Sequence, residues 1–178
     1  VLDKQAVNDI QGLDFAVQFV GEPTIESPLS GVSFVSNDAR ISYFSDVDTL
    51  ESILKKGKAL PSFVSAGPRE QIYHDPAWTR AAVVTCGGLC PGINDVIKGL
   101  VNTLYHYGVK NVFGIRYGYR GLIPTFGLEP LRLDPDTVDL LHENGGSLLG
   151  SSRGEQPTEE IVRTLDRLNI NVLFTIGG

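Results

Sequence analysis

The sequence has no methionine, one tryptophan, three histidines and two cysteines in 178 residues. Each scarcity excludes something. His74, His106 and His142 fall on unrelated segments, so the sequence offers no triad, histidine nucleophile or histidine metal cluster. Cys86 and Cys90 lie together in one glycine turn. Two thiols without a nearby histidine make neither a zinc site nor a disulfide framework. They read as reduced thiols packing at a strand end, with a reactive thiol as the alternative. No apolar run approaches the roughly 20 residues a membrane helix needs. A formal net charge of -6 argues against a nucleic-acid surface. Residues 1–30 carry no basic segment leading into an apolar stretch, so no targeting signal is recognisable there. The chain opens on Val1 and closes on Gly178 straight after a strand-like run, so it reads as part of a longer protein.

The composition is 42% hydrophobic and 20% charged, that of a globular chain able to bury one core of ordinary size. The most informative stretch is residues 81–92, Ala-Ala-Val-Val-Thr-Cys-Gly-Gly-Leu-Cys-Pro-Gly. A β-type run stops at a glycine pair, and Pro91-Gly92 opens a helical pattern that lasts to Tyr107. A helix start has unpaired N–H groups and partial positive charge, which suit phosphate. Adjacent glycines remove the Cβ atoms that would keep a phosphate from the backbone. Pro91 suits a first helical position. Neither the P-loop nor the G-x-G-x-x-G spacing is present. From the residues alone, a tight βα turn that binds nothing remains as good a reading.

Three further glycine-centred turns follow patterned segments. They are Tyr117-Gly-Tyr-Arg-Gly-Leu122, Asn144-Gly-Gly-Ser-Leu-Leu-Gly-Ser-Ser-Arg-Gly154 and Val172-Leu-Phe-Thr-Ile-Gly-Gly178. Together they describe one wall of a nucleotide site, made of loops at the carboxyl ends of parallel strands. The expected order is strand 81–85, helix 92–107, strand 111–116, helices near 135–143 and 158–168, and strand 171–176. The fold class is therefore α/β, a doubly wound parallel sheet. Ile93, Val96, Ile97, Leu100, Val101 and Leu104 should pack on it, as should Ile161, Val162, Leu165 and Leu168. Two domains are expected, an N-terminal extension over 1–78 and a partial nucleotide-binding domain over 79–178. In the extension, residues 1–30 read as an arm. Val32–Val35 and Ile41–Phe44 flank Asn37-Asp38 as a β-hairpin. Asp46 caps a helix that ends near Lys55, Lys56 and Lys58, a cluster that reads as a solvated helix end rather than a phosphate site.

The motifs Thr85-Cys-Gly-Gly-Leu-Cys-Pro-Gly-Ile-Asn-Asp95, Tyr117-Gly-Tyr-Arg-Gly-Leu122, Gly145-Gly-Ser-Leu-Leu-Gly-Ser-Ser-Arg-Gly154 and Ala66-Gly-Pro-Arg-Glu-Gln-Ile-Tyr73 resemble those of the 6-phosphofructokinases. The likeness is to the N-terminal part of the plant- and trypanosome-like ATP-dependent subgroup. It covers residues 65–178 and, more loosely, the stretch from 31. It implies phosphoryl transfer from Mg-ATP to the 1-hydroxyl of fructose 6-phosphate, in the cytoplasm, by a homotetramer when full length. A pyrophosphate-dependent relative is the alternative donor reading. A truncated, non-catalytic nucleotide- or partner-binding chain is the alternative of another class.

The resemblance also assigns an ATP site to Gly87, Gly88, Tyr119, Arg153 and Gly154. Gly88, with Gly87, would meet the transferred phosphate through its backbone, unless Gly88 is only a turn glycine with positive φ. Arg153 offers a planar set of donors to phosphate oxygens, unless it is a surface arginine paired with Glu155 or Glu159. Tyr119 matches a position near the adenine or ribose. Tyr117 could equally fill the core edge, and Asn94 and Asp95 read as stabilising the helix start. The Mg²⁺-holding Asp is expected just after Gly178 and the catalytic base later still. The 178-residue chain alone is therefore expected to be inactive.

Overall fold

The structure is a computed structural model that describes residues 4–19 and 21–177. Gly178, half of the last glycine pair, lies outside the described residues. The chain divides into two compact units, residues 1–73 and 74–178.

The first unit contains helix α1 (Lys4–Gln11), strands β1 (Ile25–Glu26) and β2 (Arg40–Ser42), helix α2 (Val47–Lys55), and strands β3 (Ser62–Val64) and β4 (Gln71–Ile72). The expected helix cap is present: Asp46 accepts from the Thr49 amide at 2.9 Å and from the Thr49 hydroxyl at 2.6 Å. Those bonds, the hydroxyl's first, hold the Asp46 carboxyl below its ordinary range. Lys55 pairs with Glu51, and Lys58 reaches Gln11.

The expected hairpin needs correction. A turn does occupy 36–39, with the Ala39 amide donating to Ser36 O, but its flanks do not pair with each other. β2 instead runs antiparallel to β3, with Ile41 opposite Phe63. The reason lies in the segment 65–69. The Val35 amide donates to Pro68 O, while the Arg69 guanidinium donates to Val35 O, Ser36 O and Ser65 O. Gly67 at φ +139 lies so close to Val35 that a Cβ there would stand 2.5 Å from Val35 Cγ2. Edge-to-face contacts of Phe15 with Tyr43 and Phe63 support the β2–β3 pair.

The second unit holds strand β5 (Arg80–Thr85), helix α3 (Ile93–His106), strands β6 (Asn111–Ile115) and β7 (Leu131–Leu133), helices α4 (Pro135–Val138) and α5 (Thr158–Arg167), and strand β8 (Val172–Ile176). The sheet order is β7-β6-β5-β8. β5 is parallel to both of its neighbours, and β7 runs antiparallel to β6. β5 is buried from Ala81 to Thr85, as a central strand covered on both faces must be. Ala81 and Val83 join Ile93, Ile97 and Val101 of α3 in one core cluster. Ala82 and Val84 face the other way, into a cluster against which Ile161 and Leu165 of α5 pack. Helices on opposite faces make the sheet doubly wound. The chain turns to one side of β5 through α3 and to the other through α5, so a topological switch lies at the carboxyl end of β5.

Other differences from the sequence reading have local causes. β7 was not expected, because Leu131-Arg132-Leu133 is too short a run to register as a strand until β6 lies beside it. The helix expected over 135–143 is α4 followed by a 3₁₀ turn at Leu141–Glu143. Lys98 of α3 bonds to the Asp139 carbonyl and to His142 Nδ1, and so intercepts the chain where the helix would continue. Pro91 is not the first helical residue. Gly92 is the N-cap, at φ 91, a left-handed conformation that glycine adopts without penalty. Val96 and Val162 are exposed.

Two α3 substitutions separate core from periodicity. Ile97 is fully buried and Val96 is 48% exposed. Ile97→Ala should therefore cost about 2–5 kcal/mol in urea denaturation. Val96→Ala should stay within about 0.5 kcal/mol of the parent.

Candidate phosphate- and nucleotide-binding site

The loops at the carboxyl ends of β5, β6 and β8 are tied together around Thr85. This residue is buried, and its hydroxyl donates to Gly150 O at 2.6 Å and lies 3.0 Å from Ser147 Oγ. Next along the chain, the Cys86 amide donates to Ile176 O and the Gly87 amide to Ser152 O. The Ser151 hydroxyl returns a bond to Gly87 O. From β6, the Tyr117 amide donates to Leu149 O at 2.7 Å.

Close backbone approach accompanies these bonds. A Cβ at Gly118, φ +61, would stand 2.5 Å from Ser152 Oγ and 3.0 Å from Ser152 N. A Cβ at Gly177, φ +92, would collide with Cys86 O. Glycine is therefore required at both positions, for space and for backbone conformation.

This knot brings Arg153 beside the glycine pair. A Cβ built on Gly88 would lie 3.8 Å from Arg153 Nη2. The left-handed conformation belongs to Gly87, at φ 74, and Gly88 does not share it. The turn-geometry explanation thus accounts for Gly87 and leaves Gly88 to be explained by space. Of the two partners considered for Arg153, Glu155 and Glu159, the second lies 3.4 Å from Arg163. Among the described residues no ion pair to Arg153 forms. Gly154 follows at φ 92 with open space around it. Gly88 and Arg153 are both exposed, and Gly88 stands four positions before Gly92, the N-cap of α3.

Tyr119 sits differently from these residues. Its ring packs on the second core cluster, which includes Cys86, Ile115 and Leu122. Burial, followed by the neighbouring Cys86, pushes the Tyr119 hydroxyl above its ordinary range. Burial likewise pushes the Cys86 thiol up.

Residues 80–178, more than half of the chain, match the sequence model described as "Phosphofructokinase". The chain belongs to the phosphofructokinase family. An ATP-dependent 6-phosphofructokinase of Borreliella burgdorferi is 41% identical over 175 residues, covering 94% of this chain and 39% of that protein. The Entamoeba histolytica protein of the same name is 53% identical over 114 residues, 64% of this chain and 26% of that one. Among solved structures, the Pichia pastoris phosphofructokinase in its T-state aligns with a TM-score of 0.51 at 20% identity, covering 78% of this chain and 17% of that one. A pyrophosphate-dependent phosphofructokinase from Marinobacter aquaeolei gives 0.50 at 22% identity, over 56% and 26% of the two chains. These structural likenesses concern the fold. The chain spans at most about two-fifths of the length of the curated relatives described.

Within this phosphofructokinase segment, the sequence reading missed what holds the loop. Asn94 was expected to stabilise the helix start. It is instead buried, donating to Asn144 O at 2.7 Å and accepting from the Leu148 amide at 2.9 Å. It thus fastens α3 to the loop that carries Arg153. An asparagine in the first helical turn, between the apolar Ile93 and Val96, was the available clue, since such a side chain must find partners if the fold buries it. The role of Thr85 is likewise invisible in the local sequence, because its partners Ser147 and Gly150 lie far away in the chain. Asp95 is exposed in the first turn of α3. Among the described residues no group of three or more His, Cys, Asp or Glu could hold a metal ion.

Asn94→Ala should leave Leu148 N–H and Asn144 O without these partners. The expected cost is about 1–3 kcal/mol, with faster hydrogen exchange at the Leu148 amide. In a second test, exposed Cys90 should be alkylated readily while buried Cys86 resists. The raised pKa of Cys86 means that the folded state favours the protonated thiol. That contribution to stability is complete below the ordinary thiol value of 9.0 and is lost as pH rises through the higher folded value. Thermal scans across this alkaline range should show falling stability together with the onset of Cys86 labelling.

Proposed function

We propose that this chain is the phosphate-binding part of an ATP-dependent 6-phosphofructokinase. In this reading, Gly87 and Gly88 receive the phosphates through their backbone, Arg153 and Gly154 close on the phosphate oxygens, and Tyr119 backs the adenosine side. The observation that carries it is the juxtaposition of Gly88 and the Arg153 guanidinium, which leaves at the glycine pair the space a Cβ would fill. The nearby helix start adds partial positive charge, and guanidinium donors match phosphate geometry. The relatives at 41% and 53% identity are ATP-dependent by name, which favours ATP over pyrophosphate as the donor.

The reaction joins the 1-hydroxyl oxygen of fructose 6-phosphate to the γ-phosphorus of ATP. The bond to the β–γ bridging oxygen breaks, ADP leaves, and the hydroxyl proton passes to a base. Catalysis of this kind is chiefly positioning and charge stabilisation. The chain's contribution is to hold the donor: backbone amides and Arg153 fix the phosphate oxygens, and the Thr85-centred knot fixes Arg153. Mg²⁺ bound with the donor would neutralise charge on its phosphates, typically through one or two carboxylates together with the phosphate oxygens themselves. The metal-holding Asp and the base belong, in this reading, beyond Gly178. A homotetramer in the cytoplasm completes the proposal. Among the described residues, no helix is long and apolar enough to cross a membrane.

The test uses full-length protein with Mg-ATP and fructose 6-phosphate. Gly88→Val should abolish phosphoryl transfer while sugar binding persists. Gly88→Ala should fold normally, because Gly88 lacks positive φ and its added Cβ meets Arg153 at an ordinary 3.8 Å. It should lose ATP use by a smaller factor than Val. Arg153→Ala should lower kcat/KM for ATP by roughly tenfold to a hundredfold, the equivalent of one charged hydrogen bond, at unchanged Tm. Normal ATP kinetics in a folded Gly88→Val protein would refute the phosphate-cradle reading.

A further inference from the structure

Tyr117 combines an unfavourable backbone with an exposed ring. It is a non-glycine residue in the left-handed region, at φ 56 and ψ 47. Among the described residues the other such residue is Asn169, a type that tolerates this region far better than a bulky aromatic. Strain of this sort persists where the surroundings enforce it, and it clusters at ligand sites. Here the surroundings are the binding loop itself. The Tyr117 amide is held by Leu149 O at 2.7 Å. The ring lies on Gly150, where a Cβ would stand 2.8 Å from Tyr117 Cδ1. The Arg116 guanidinium lies 5.5 Å from the ring centroid. The loop that fixes Arg153 therefore fixes this ring as well.

Despite these contacts, Tyr117 is 46% exposed. It does not fill the core edge. Tyr119 packs on the second cluster, beside Cys86. Of the two tyrosines in the turn after β6, only Tyr117 is left largely open to solvent at the site.

We propose that Tyr117 is a specificity-determining residue that offers its ring to the base of a purine nucleoside triphosphate and so favours a nucleotide donor over bare polyphosphate. This rests on the phosphoryl-transfer reading above. A base has a π-face that stacks on an aromatic ring, whereas an inorganic polyphosphate has nothing to place there. Holding the ring in advance reduces the ordering cost of binding. The strained backbone aims the ring, and the glycine at position 150 makes room for it.

The experiment measures calorimetric affinities of full-length protein for ATP and for inorganic tripolyphosphate. Tyr117→Asn removes the ring while placing a residue suited to positive φ, so the turn is retained. It should weaken ATP binding about tenfold, the scale of one base–aromatic stack, and leave tripolyphosphate binding unchanged. Tyr117→Phe should keep both affinities. Equal loss of both ligands in Tyr117→Asn would make the ring a prop for the loop and overturn the proposal, as would loss of neither. Gly88→Val separates the two claims. If it loses both ligands while Tyr117→Asn loses neither, the phosphate cradle stands and the base contact falls. A parent protein that binds neither ligand overturns both.

Discussion

The buried hydroxyl of Thr85 is the point on which the binding end of the second unit depends. Its bond to Gly150 O and its contact with Ser147 Oγ join the end of the central strand to a loop more than sixty positions later. Once that junction is made, the Gly87 amide finds Ser152 O, the Ser151 hydroxyl finds Gly87 O, and Arg153 emerges beside Gly88. A threonine at the end of an otherwise aliphatic strand is the economical choice. It keeps the β-branched shape that suits a strand and adds one donor that must be satisfied when buried.

The glycines around this junction act through close approach as much as through flexibility. Gly118 lets the β6 turn touch Ser152, and Gly177 lets β8 end against Cys86. Gly88 differs from both. Its backbone needs no special conformation, and the space beside it faces a guanidinium rather than a packed wall. That contrast separates the glycines required by packing and backbone conformation from Gly88, where neither requires one. It also explains why Asn94, inside α3, is structurally important: its two bonds hold the far end of the same loop.

In the first unit, a comparable tie determines which strands meet. Arg69 places its guanidinium on three carbonyls, Val35 O, Ser36 O and Ser65 O, and thereby withdraws the segment before the 36–39 turn from pairing with the one after it. The motif Ala66-Gly-Pro-Arg-Glu thus has a structural explanation inside its own unit. Gly67 provides the close approach to Val35, Pro68 the acceptor for its amide, and Arg69 the clasp.

The sequence by itself determined what depends on local pattern. The aliphatic run 81–85, the helical spacing from Ile93 to Leu104, the Asp46 cap and the glycine-centred turns were legible because propensity, periodicity and capping act over a few residues. They sufficed for a doubly wound α/β sheet with its glycine turns at the strand ends, and the resemblance singled out Gly88 and Arg153. Only the tertiary structure decided what depends on partners distant in the chain. It paired β2 with β3, placed Leu131–Leu133 antiparallel beside β6, and broke the helix after Val138 where Lys98 intervenes. It turned Asn94 inward to the loop, and it sent Tyr119 to the apolar cluster while leaving Tyr117 exposed. The physical reason is common to all of these. A buried polar group or a strand edge takes whichever partner the fold brings to it, and sequence distance carries no information about which partner that will be.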